Sequence, residues 1–438
     1  MLTKEENDLL CRVEGDAPMG QIMRRHWLPA CMIEEVAEPD CDPIKVRLCG
    51  EDFVVFRDTN GQLGMLDEQC PHRRASLVFG RNEDCGIRCL YHGWKFDVNG
   101  NAQELNSEPV ETGLLKKMKT RSYPVREAAG FVWCYIGPAE EMPEFEDPVF
   151  KPEPNTRVSI AKYKVPVNWA QILEGAIDSS HSSTLHSSDM VPARVASAEA
   201  NEQLWLRPST DKSPRLYSQR TPFGFRYAAV RRPIQNAQTH DYIRTTLFVA
   251  PYTVLIPPNN NYKVVIMHVP VDDENTDFYF LAFGDAATTP GTEEWRKFLH
   301  AQVGIDVDEE YRSYRTFENN FKQDRQAMKL GNFTGIPGIP NQDYVMWLTM
   351  GKITDRTKEV LGQSDLAIVE FRRQMVEAAQ SYQKNGTVIG RTEPHIPLNK
   401  LRSFEGVAPK TTDWRVAGLS QEELDVRGLS APATSAAE

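Results

Sequence analysis

The 438-residue sequence lacks any run of about 20 apolar residues, the length that a membrane-spanning helix needs. Its first residues, MLTKEENDLLCRVEGDAP, are charged and lack the apolar core of a secretory signal. We therefore expect a cytoplasmic protein. A chain of this length is too long for one ordinary hydrophobic core, so two domains are predicted.

Positive charge is scarce, since 50 Lys and Arg residues face 61 Asp and Glu residues and the formal net charge is −11. This balance disfavours nucleic acid and anionic membranes as partners, because both would be repelled. For the same reason, an anionic substrate would need a local cationic pocket.

Two cofactor-binding patterns are missing as well. The sequence has no Gly-x-Gly-x-x-Gly fingerprint for a dinucleotide and no Cys-x4-Cys-x2-Cys run of a plant-type ferredoxin. Eight cysteines are present. In a large chain without a signal segment, we expect them to be reduced thiols or metal ligands rather than disulfides.

Local patterns divide the chain into two parts. From about residue 43 to 137, short strand-like runs alternate with turns, and Asn60-Gly61 and Asn99-Gly100 predict tight hairpins. Later strand-like runs predict an antiparallel sheet, followed by a loop-rich stretch at 330–345 and a long helix near 364–384. The predicted segments are a helical lead-in at 1–25, a mostly β domain at 26–142, a Pro- and Glu-rich linker at 143–155, a second domain at 156–425 and a disordered tail at 426–438.

The first part contains two Cys/His pairs, Cys70-x-His72 and Cys89-x2-His92. Two hairpin loops that each carry one Cys and one His can close on a shared metal centre. Two thiolates and two imidazoles are the ligand set of a Rieske [2Fe-2S] cluster, in which His replaces Cys on one iron. A Cys2His2 zinc site is the alternative, although the Cys-x-His spacing is unusual for a zinc finger.

The second part contains Asp178, His181 and His186 within nine residues. Two His and a carboxylate form the facial triad of non-heme iron oxygenases, which leaves positions open for O2. The two histidines are five residues apart, or about 140° on a regular helix, so the helix must distort or end between them. Residues 182–184 are poor helix formers and permit this. A single histidine here could instead be a buried core residue.

Together, CPHR…CLYHGW and NWxxxxEGxxDxxHxxxxH resemble the Rieske non-heme iron ring-hydroxylating oxygenases. The run FTGIPGIPNQDYVMWLTMGKITDRTKEVLGQSDLAIVEFRR is similar to the phthalate 4,5-dioxygenase branch of that family. The resemblance implies an α+β fold, in which a mostly β Rieske domain precedes a helix-grip catalytic domain with an antiparallel sheet covered by helices. It also implies a third iron ligand, either Asp343 or Asp324. We favour Asp343 because QDxxxWxxMGxIxDR matches the family's ligand segment.

The resemblance further implies the reaction and its partners. The chain would be the terminal oxygenase component, which uses O2 to cis-dihydroxylate phthalate at ring positions 4 and 5. Electrons would come from a separate FMN- and ferredoxin-type reductase that uses NADH. The oxygenase would form a head-to-tail homotrimer, alone or stacked as a hexamer. Asp178 would then link His181 to His92 of the partner subunit, or would simply orient His181.

Phthalate is a dianion, and Arg side chains bind carboxylates through two parallel donors. Arg207 and Arg244 lie in strand-like segments after the histidines, and we predict that they bind the substrate together with Ser179. Any of these arginines could instead be a solvated surface residue. The competing candidates are Arg226, Arg231 and Arg232.

Several other functions share parts of this pattern. A Rieske monooxygenase, an O-demethylase or a dioxygenase for another aromatic carboxylate would keep every iron ligand. A respiratory-type Rieske electron carrier is a more remote alternative, because its cluster loops carry an extra disulfide-bonded cysteine that is missing here. A zinc-binding interaction protein would be colourless, whereas a Rieske protein is red-brown.

Overall fold

The computed structural model describes residues 2–151, 153–192, 205–257, 262–392, 395–417 and 419. The chain divides into two units. The N-terminal unit comprises Val13–Phe145 and Val269–Asp273, and the C-terminal unit comprises Met1–Arg12, Glu146–His268 and Glu274–Glu438. The predicted domain bounds at 26, 142 and 156 remain predictions, and the predicted disordered tail at 426–438 lies outside the described residues.

The helix α1 (Lys4–Cys11) belongs to the C-terminal unit, and α2 (Pro18–Arg24) begins the N-terminal unit. The N-terminal unit then forms three small sheets, β1-β10-β9, β2-β3-β4 and β5-β6-β7-β8. Its strands are β1 (Leu28–Met32), β2 (Ile44–Leu48), β3 (Glu51–Arg57), β4 (Leu63–Asp67), β5 (Arg81–Glu83), β6 (Gly86–Arg88), β7 (Trp94–Phe96), β8 (Ala102–Leu105), β9 (Val125–Ala128) and β10 (Phe131–Cys134).

The two Asn-Gly pairs form turns, as predicted. Asn60-Gly61 lies between β3 and β4, and Asn99-Gly100 lies between β7 and β8. Gly61 and Gly100 both have a φ of 77°, a left-handed value that glycine adopts without steric cost. A Cβ atom at position 100 would also lie 2.2 Å from the carbonyl oxygen of Thr120. Each turn therefore depends on its glycine.

The C-terminal unit is built on one antiparallel sheet of eight strands. Its order is β11-β19-β18-β17-β16-β15-β14, and β20 pairs with β16 beyond this path, while β12 and β13 form a separate parallel pair. The strands are β11 (Thr156–Val165), β12 (Met190–Pro192), β13 (Trp205–Arg207), β14 (Arg215–Thr221), β15 (Gly224–Arg231), β16 (His240–Val249), β17 (Thr253–Ile256), β18 (Lys263–Pro270), β19 (Thr276–Asp285) and β20 (Phe404–Pro409).

In the described part of the C-terminal unit, five α-helices follow α1. They are α3 (Trp169–Ile177), α4 (Thr292–Leu299), α5 (Arg325–Lys329), α6 (Ile339–Thr349) and α7 (Leu366–Asn385). The prediction of a loop-rich stretch at 330–345 is wrong in its second half, because α6 begins at Ile339. Pro340 occupies the first turn of α6, where the missing N–H costs no helical hydrogen bond. Pro340, which would break a helix in its interior, therefore lies in the first turn of α6.

A buried ion cluster holds α3 to the end of the C-terminal unit. Glu174 on α3 accepts hydrogen bonds from Arg356 Nε at 2.8 Å and from Arg372 Nε and Nη2 at 2.8 and 2.9 Å. Burial alone would raise the pKa of Glu174, but the charge of Arg356 and the hydrogen bond from Arg372 outweigh it, and the pKa is lowered. Arg356 Nη1 also donates to Asn7 Oδ1 on α1 at 3.0 Å. The cluster therefore ties together three segments distant in sequence.

We expect Glu174→Ala to destabilise the C-terminal unit by about 3–5 kcal/mol, because it leaves two buried guanidinium groups without their counter-ion. Denaturant unfolding followed by tryptophan fluorescence measures this change. Glu359→Ala is the matched control, since Glu359 pairs with Arg372 from a more exposed position and should cost less than about 1 kcal/mol. Equal effects of the two substitutions would contradict the assignment.

Candidate metal centres and substrate cavity

Two short loops of the N-terminal unit hold the first four predicted ligands. Cys70 N donates to Ala75 O at 2.8 Å and Cys70 O accepts from Arg74 N at 2.9 Å. In the loop between β6 and β7, Cys89 N donates to Trp94 O at 2.8 Å and Cys89 O accepts from Gly93 N at 3.0 Å. Each cysteine is thus fixed by its backbone at the base of a loop that carries a histidine.

Within this site the thiols are buried and the imidazoles lie nearer the surface. Cys70 and Cys89 are 1% and 2% exposed, whereas His72 and His92 are half-buried, with ring centroids 4.4 Å apart. The His72 ring stacks on Trp94 at 4.3 Å and 7°. Burial and the neighbouring Cys89 raise the pKa of Cys70 to about 11. A thiol pair inside and an imidazole pair outside suits a cluster with one iron on each pair.

The same four residues do not fit a single ion. Within the described ranges, three or more metal-binding side chains bring their ligand atoms within 4.8 Å of one another at His181, His186 and Asp343. The four Cys and His residues of the N-terminal unit do not form such a group. A tetrahedral zinc site would bring its four ligand atoms that close. The spacing in the N-terminal unit therefore favours the two-iron cluster over zinc.

The second centre forms where α3 ends. The α-helix stops at Ile177, before both histidines, and a 3-10 turn at His181–Ser183 ends between them. The two histidines therefore do not share a regular helix, as their spacing predicted. His181 Nε2 and His186 Nε2 lie 3.1 Å apart, and Asp343 Oδ1 lies 3.5 and 3.3 Å from them. Three ligand atoms therefore converge on one position and leave part of a coordination sphere open.

The outer nitrogen of each histidine has its own acceptor. Asp178 Oδ2 lies 3.3 Å from His181 Nδ1, and Gln342 Oε1 lies 2.7 Å from His186 Nδ1. Gln342 Nε2 donates to Asp189 Oδ2 at 2.6 Å, which fixes the orientation of the amide. A proton held on each Nδ1 leaves each Nε2 lone pair available to a metal. Because α3 ends at Ile177, Asp178 meets His181 across the turn that follows the helix.

The two aspartates considered as third ligand lie in different settings. Asp343 is on the second turn of α6, beside both histidines. Asp324 is the N-cap of α5, where its side chain accepts hydrogen bonds from Gln326 N and Ala327 N, both at 2.8 Å. Capping accounts for Asp324, and the geometry leaves Asp343 as the candidate.

A cavity opens beside this trio within the C-terminal unit. Part of its wall is apolar, and this part is formed by Ile256, Val264, Ile266, Phe278, Phe280, Ile339 and Trp347. The polar part includes Asp178, Ser179, Ser182, Arg207, Tyr227, Arg244 and Thr246, together with the three converging ligands. An apolar surface with a few fixed polar groups is typical of a site for a small organic molecule.

Two of the five candidate arginines line this cavity. Arg207 donates to Ser182 Oγ at 2.8 Å and to Ser183 Oγ at 3.0 Å. Burial and the charge of Arg244 lower the pKa of Arg207 to about 9. Arg244 Nη2 donates to Pro257 O at 3.1 Å. Both residues are 5% exposed, so each carries a poorly hydrated positive charge at the cavity wall.

The other three arginines serve different contacts. Arg231 is buried and donates to Ser179 O at 2.6 Å and to Ser179 Oγ at 3.2 Å, which places Ser179 on the cavity wall. Arg226 donates to Gln219 Oε1 at 2.9 Å. Arg232 is largely exposed and pairs with Asp211. Arg231 thus adds a third buried cation behind the wall, a role that the sequence did not distinguish.

Both parts of the chain are similar to known proteins. Residues 26–124 match the family model described as Rieske [2Fe-2S] domain, and residues 134–436 match the model described as LigXa C-terminal domain like. The chain is 60% identical over 415 residues to the phthalate 4,5-dioxygenase oxygenase subunit of Pseudomonas putida, covering 95% of this chain and 94% of that protein. The chain belongs to the Rieske non-heme iron oxygenases.

Two further comparisons show lower identity. This Rieske oxygenase is 33% identical to the 3-chlorobenzoate-3,4-dioxygenase oxygenase subunit of Comamonas testosteroni, over 95% of this chain and 97% of that protein. The solved structure of NdmB from Pseudomonas putida CBB5 superposes with a TM-score of 0.60 at 17% identity, covering 91% of this chain and 99% of that chain. The structural likeness supports the fold alone.

The family membership confirms several predictions made from the sequence. The Rieske oxygenase combines a mostly β Rieske domain with a catalytic domain that carries an antiparallel sheet and helices. It holds a Rieske [2Fe-2S] cluster and a mononuclear non-heme iron. The zinc-protein and electron-carrier alternatives are thereby set aside. In the described part of the chain, no helix is long and apolar enough to cross a bilayer.

Proposed function

We propose that this Rieske oxygenase is the terminal component that uses O2 and reductase-supplied electrons to cis-dihydroxylate phthalate at ring positions 4 and 5. The observation that carries the proposal is the cavity that joins His181, His186 and Asp343 to the buried Arg207 and Arg244. The 60% identity to a phthalate 4,5-dioxygenase oxygenase subunit supports it independently.

The charge of the cavity suits a dianion. Away from the iron ligands, Arg207, Arg231 and Arg244 carry three buried positive charges, and Glu405 is the buried carboxylate that faces them. Asp178, which also lines the cavity, is paired with His181, and the three arginines outnumber Glu405, so the wall around them carries an excess of positive charge. Phthalate carries two carboxylates on neighbouring ring carbons, so it can balance this excess with bidentate hydrogen bonds. The site thus supplies the local cationic pocket that a protein of net charge −11 needs.

We propose that the same cavity residues determine the regiochemistry. Phe278, Phe280 and Trp347 offer aromatic surface to the ring. With both carboxylates held by arginines, the opposite edge of the ring, which contains carbons 4 and 5, is left to face the iron ligands. Binding energy from the carboxylates is then used to position the reacting edge.

In this reaction the side chains of the protein hold the metal cofactors and orient the histidine ligands. We propose His181, His186 and Asp343 as the iron ligands, and Cys70, His72, Cys89 and His92 as the cluster ligands. Bound iron supplies O2 activation with electrons delivered through the cluster. Asp178 and Gln342 keep the proton on the outer nitrogen of each histidine, and the apolar wall excludes water from the site.

The proposal includes partners and assembly. Electrons come from a separate FMN- and ferredoxin-type reductase that uses NADH. The oxygenase is a head-to-tail homotrimer, alone or stacked as a hexamer, in which Asp178 connects His181 with His92 of the partner subunit. A cytoplasmic location agrees with the eight free cysteines.

Substrate preference tests the proposal. With purified reductase and NADH, we expect kcat/KM for phthalate to exceed that for isophthalate, terephthalate and benzoate by at least about tenfold, since only phthalate presents adjacent carboxylates. Substrate-dependent O2 uptake and chromatography of the products measure it. Equal use of benzoate would contradict the assignment, and demethylation of an aryl ether in preference to phthalate oxidation would favour an O-demethylase.

We expect Arg244→Ala to weaken phthalate binding at least tenfold while the cluster absorption stays intact. One charge-assisted hydrogen bond contributes about 1.5–3 kcal/mol, which corresponds to about 10–150-fold in affinity. Steady-state KM and equilibrium binding measure the change. Arg232→Ala is the matched control, because Arg232 is 76% exposed on its side chain. Unchanged kinetics in Arg244→Ala would remove this residue from the substrate site.

A further inference from the structure

A buried carboxylate lies behind the substrate-binding arginines. Glu405 on β20 and Arg244 on β16 are directly opposite each other in the sheet register. Glu405 Oε2 lies 3.7 Å from Arg244 Nε, and the two side chains are 5% and 6% exposed. Tyr242, two residues before Arg244, donates its hydroxyl to Glu405 Oε1. Glu405 therefore touches a cavity-lining cation while it is not itself part of the cavity wall.

The groups that face Glu405 come from three further strands and carry mainly positive charge. Arg244 and Tyr242 lie on β16, Arg231 lies on β15 and Arg207 lies on β13, and each interacts electrostatically with Glu405. Arg231 pairs with Tyr242 in the β15–β16 register, which places it in the same cluster. Asp211 also interacts with Arg231, but Glu405 is the carboxylate that lies against Arg244.

The protonation of Glu405 depends on those cations. Burial raises the pKa of the Glu405 carboxyl to about 7, although the charge of Arg244 and the hydrogen bond from Tyr242 oppose the shift. Near neutral pH the carboxyl is therefore poised between its two states. Any anion that neutralises the arginines removes the favourable interaction that keeps Glu405 ionised, and the carboxyl then holds its proton more strongly.

We propose that Glu405 is a specificity-determining counter-ion of the substrate cavity, which balances Arg244 in the substrate-free enzyme and takes up a proton when a dianionic aromatic carboxylate binds the arginines. This inference rests on the proposed function, because it takes phthalate as the ligand. Glu405 on β20 thus acts as a positioning residue, because it contacts Arg244 and not the substrate. Monocarboxylates neutralise less positive charge and therefore drive less proton uptake.

Proton uptake by Glu405 on binding determines whether the affinity for phthalate rises or falls with pH. The pKa of the Glu405 carboxyl is about 7 in the free enzyme, and the proposal makes it higher in the complex. Phthalate therefore binds more tightly at a pH where this carboxyl can take up a proton. Affinity for phthalate is then highest below pH 7 and falls as the pH rises through the window between the two pKa values. The decline is at most about tenfold per pH unit for one proton.

Other groups of the cluster titrate outside this window. Burial lowers the pKa of Arg207 to about 9 and that of Arg231 to about 10. Burial raises the pKa of Tyr242 well above its usual range. Proton uptake near pH 7 is thus the signature of Glu405, whereas uptake that begins above pH 8 would point to the arginines.

Calorimetry on the oxidised holoenzyme without reductase tests the inference. Phthalate is titrated at pH 7 in buffers with different ionisation enthalpies, and the slope of binding enthalpy against ionisation enthalpy gives the protons exchanged. We expect an uptake of about half a proton per site in the wild type, because the free carboxyl is about half protonated at its pKa. Benzoate, under the same conditions, should give a smaller uptake.

Glu405→Gln assigns the proton to this residue. The amide keeps the acceptor for Tyr242 and removes the titration, so uptake should vanish and phthalate affinity should become flat between pH 6 and 8. Glu38→Gln, an exposed change of the same chemistry in the N-terminal unit, should leave the uptake unchanged. Unaltered uptake in Glu405→Gln would overturn the proposal.

The wild-type data alone separate the two levels of inference. If phthalate binds and is oxidised but no proton is exchanged between pH 6 and 8, the role of Glu405 is wrong and the proposed function stands. If phthalate neither binds nor yields product with reductase and NADH, the proposed function fails and takes this inference with it.

Discussion

Asp343→Ala is expected to abolish oxygenation while the Rieske cluster stays intact. Asp343 supplies the carboxylate that lies 3.5 and 3.3 Å from the two histidine nitrogens, and two histidines alone form a weak iron site. We expect turnover to fall by about a thousandfold or more, equivalent to about 4 kcal/mol. Elemental analysis should show about two irons per chain in the variant and about three in the wild type, with unchanged cluster absorption.

Asp324→Asn is the matched control for this experiment. Asp324 caps α5 through its side-chain oxygen, and asparagine caps helices equally well. The control should therefore retain iron, fold and activity. If Asp324→Asn lost the mononuclear iron while Asp343→Ala kept it, the ligand assignment would have to be reversed.

Asp178→Asn is expected to slow electron transfer from the cluster to the iron by about a hundredfold or more. Asp178 Oδ2 lies 3.3 Å from His181 Nδ1. Burial alone raises the pKa of Asp178, yet the hydrogen bond with His181 and its charge lower it, so a carboxylate is present to hold the His181 proton. The amide removes this charge from the proposed path to His92 of the partner subunit. Stopped-flow reoxidation of the pre-reduced cluster with phthalate and O2 measures the rate.

Two readouts distinguish this role from simple orientation of His181. Loss of iron without a change in the reoxidation rate per iron-loaded site would mean that Asp178 only orients the ligand. Normal iron content with slow reoxidation would support the bridging role. Glu309→Gln, which changes an exposed carboxylate elsewhere in the C-terminal unit, should change neither quantity.

The metal-site candidates could be predicted because their signals are local. Cys70 and His72 are separated by one residue, and His181 and His186 flank residues 182–184, which are poor helix formers. Short spacing restricts the directions in which such side chains can point. Residue type and spacing therefore predict which side chains can bind the same metal centre. The same holds for the Asn-Gly hairpins, where the turn is determined by two residues.

The residues that sequence reasoning missed depend on long-range pairing. Gln342 meets His186 only because α6 packs beside the turn after α3, although its position next to Asp343 was a usable signal. Glu405 meets Arg244 across 161 residues of sequence through the pairing of β20 with β16. One carboxylate among 61 acidic residues gives no local sign of such a partner.

The unit to which a short segment belongs also depends on long-range packing. Residues 1–12 belong to the C-terminal unit, where Asn7 on α1 accepts a hydrogen bond from the buried Arg356. Residues 269–273 belong to the N-terminal unit, where Cys49 N donates to Pro270 O at 2.9 Å. Composition and periodicity describe the local chain, and neither reports with which part of the protein a short segment packs.

Oxidation of phthalate with isotopically labelled O2 tests the central claim most directly. Purified oxygenase, reductase and NADH are supplied with phthalate and heavy-isotope O2, and the product is examined by mass spectrometry and NMR. The account predicts one cis-4,5-dihydrodiol that carries two labelled oxygen atoms, with the ring carbons bearing carboxylates unchanged. A product with a single labelled oxygen, or hydroxylation away from carbons 4 and 5, would contradict it.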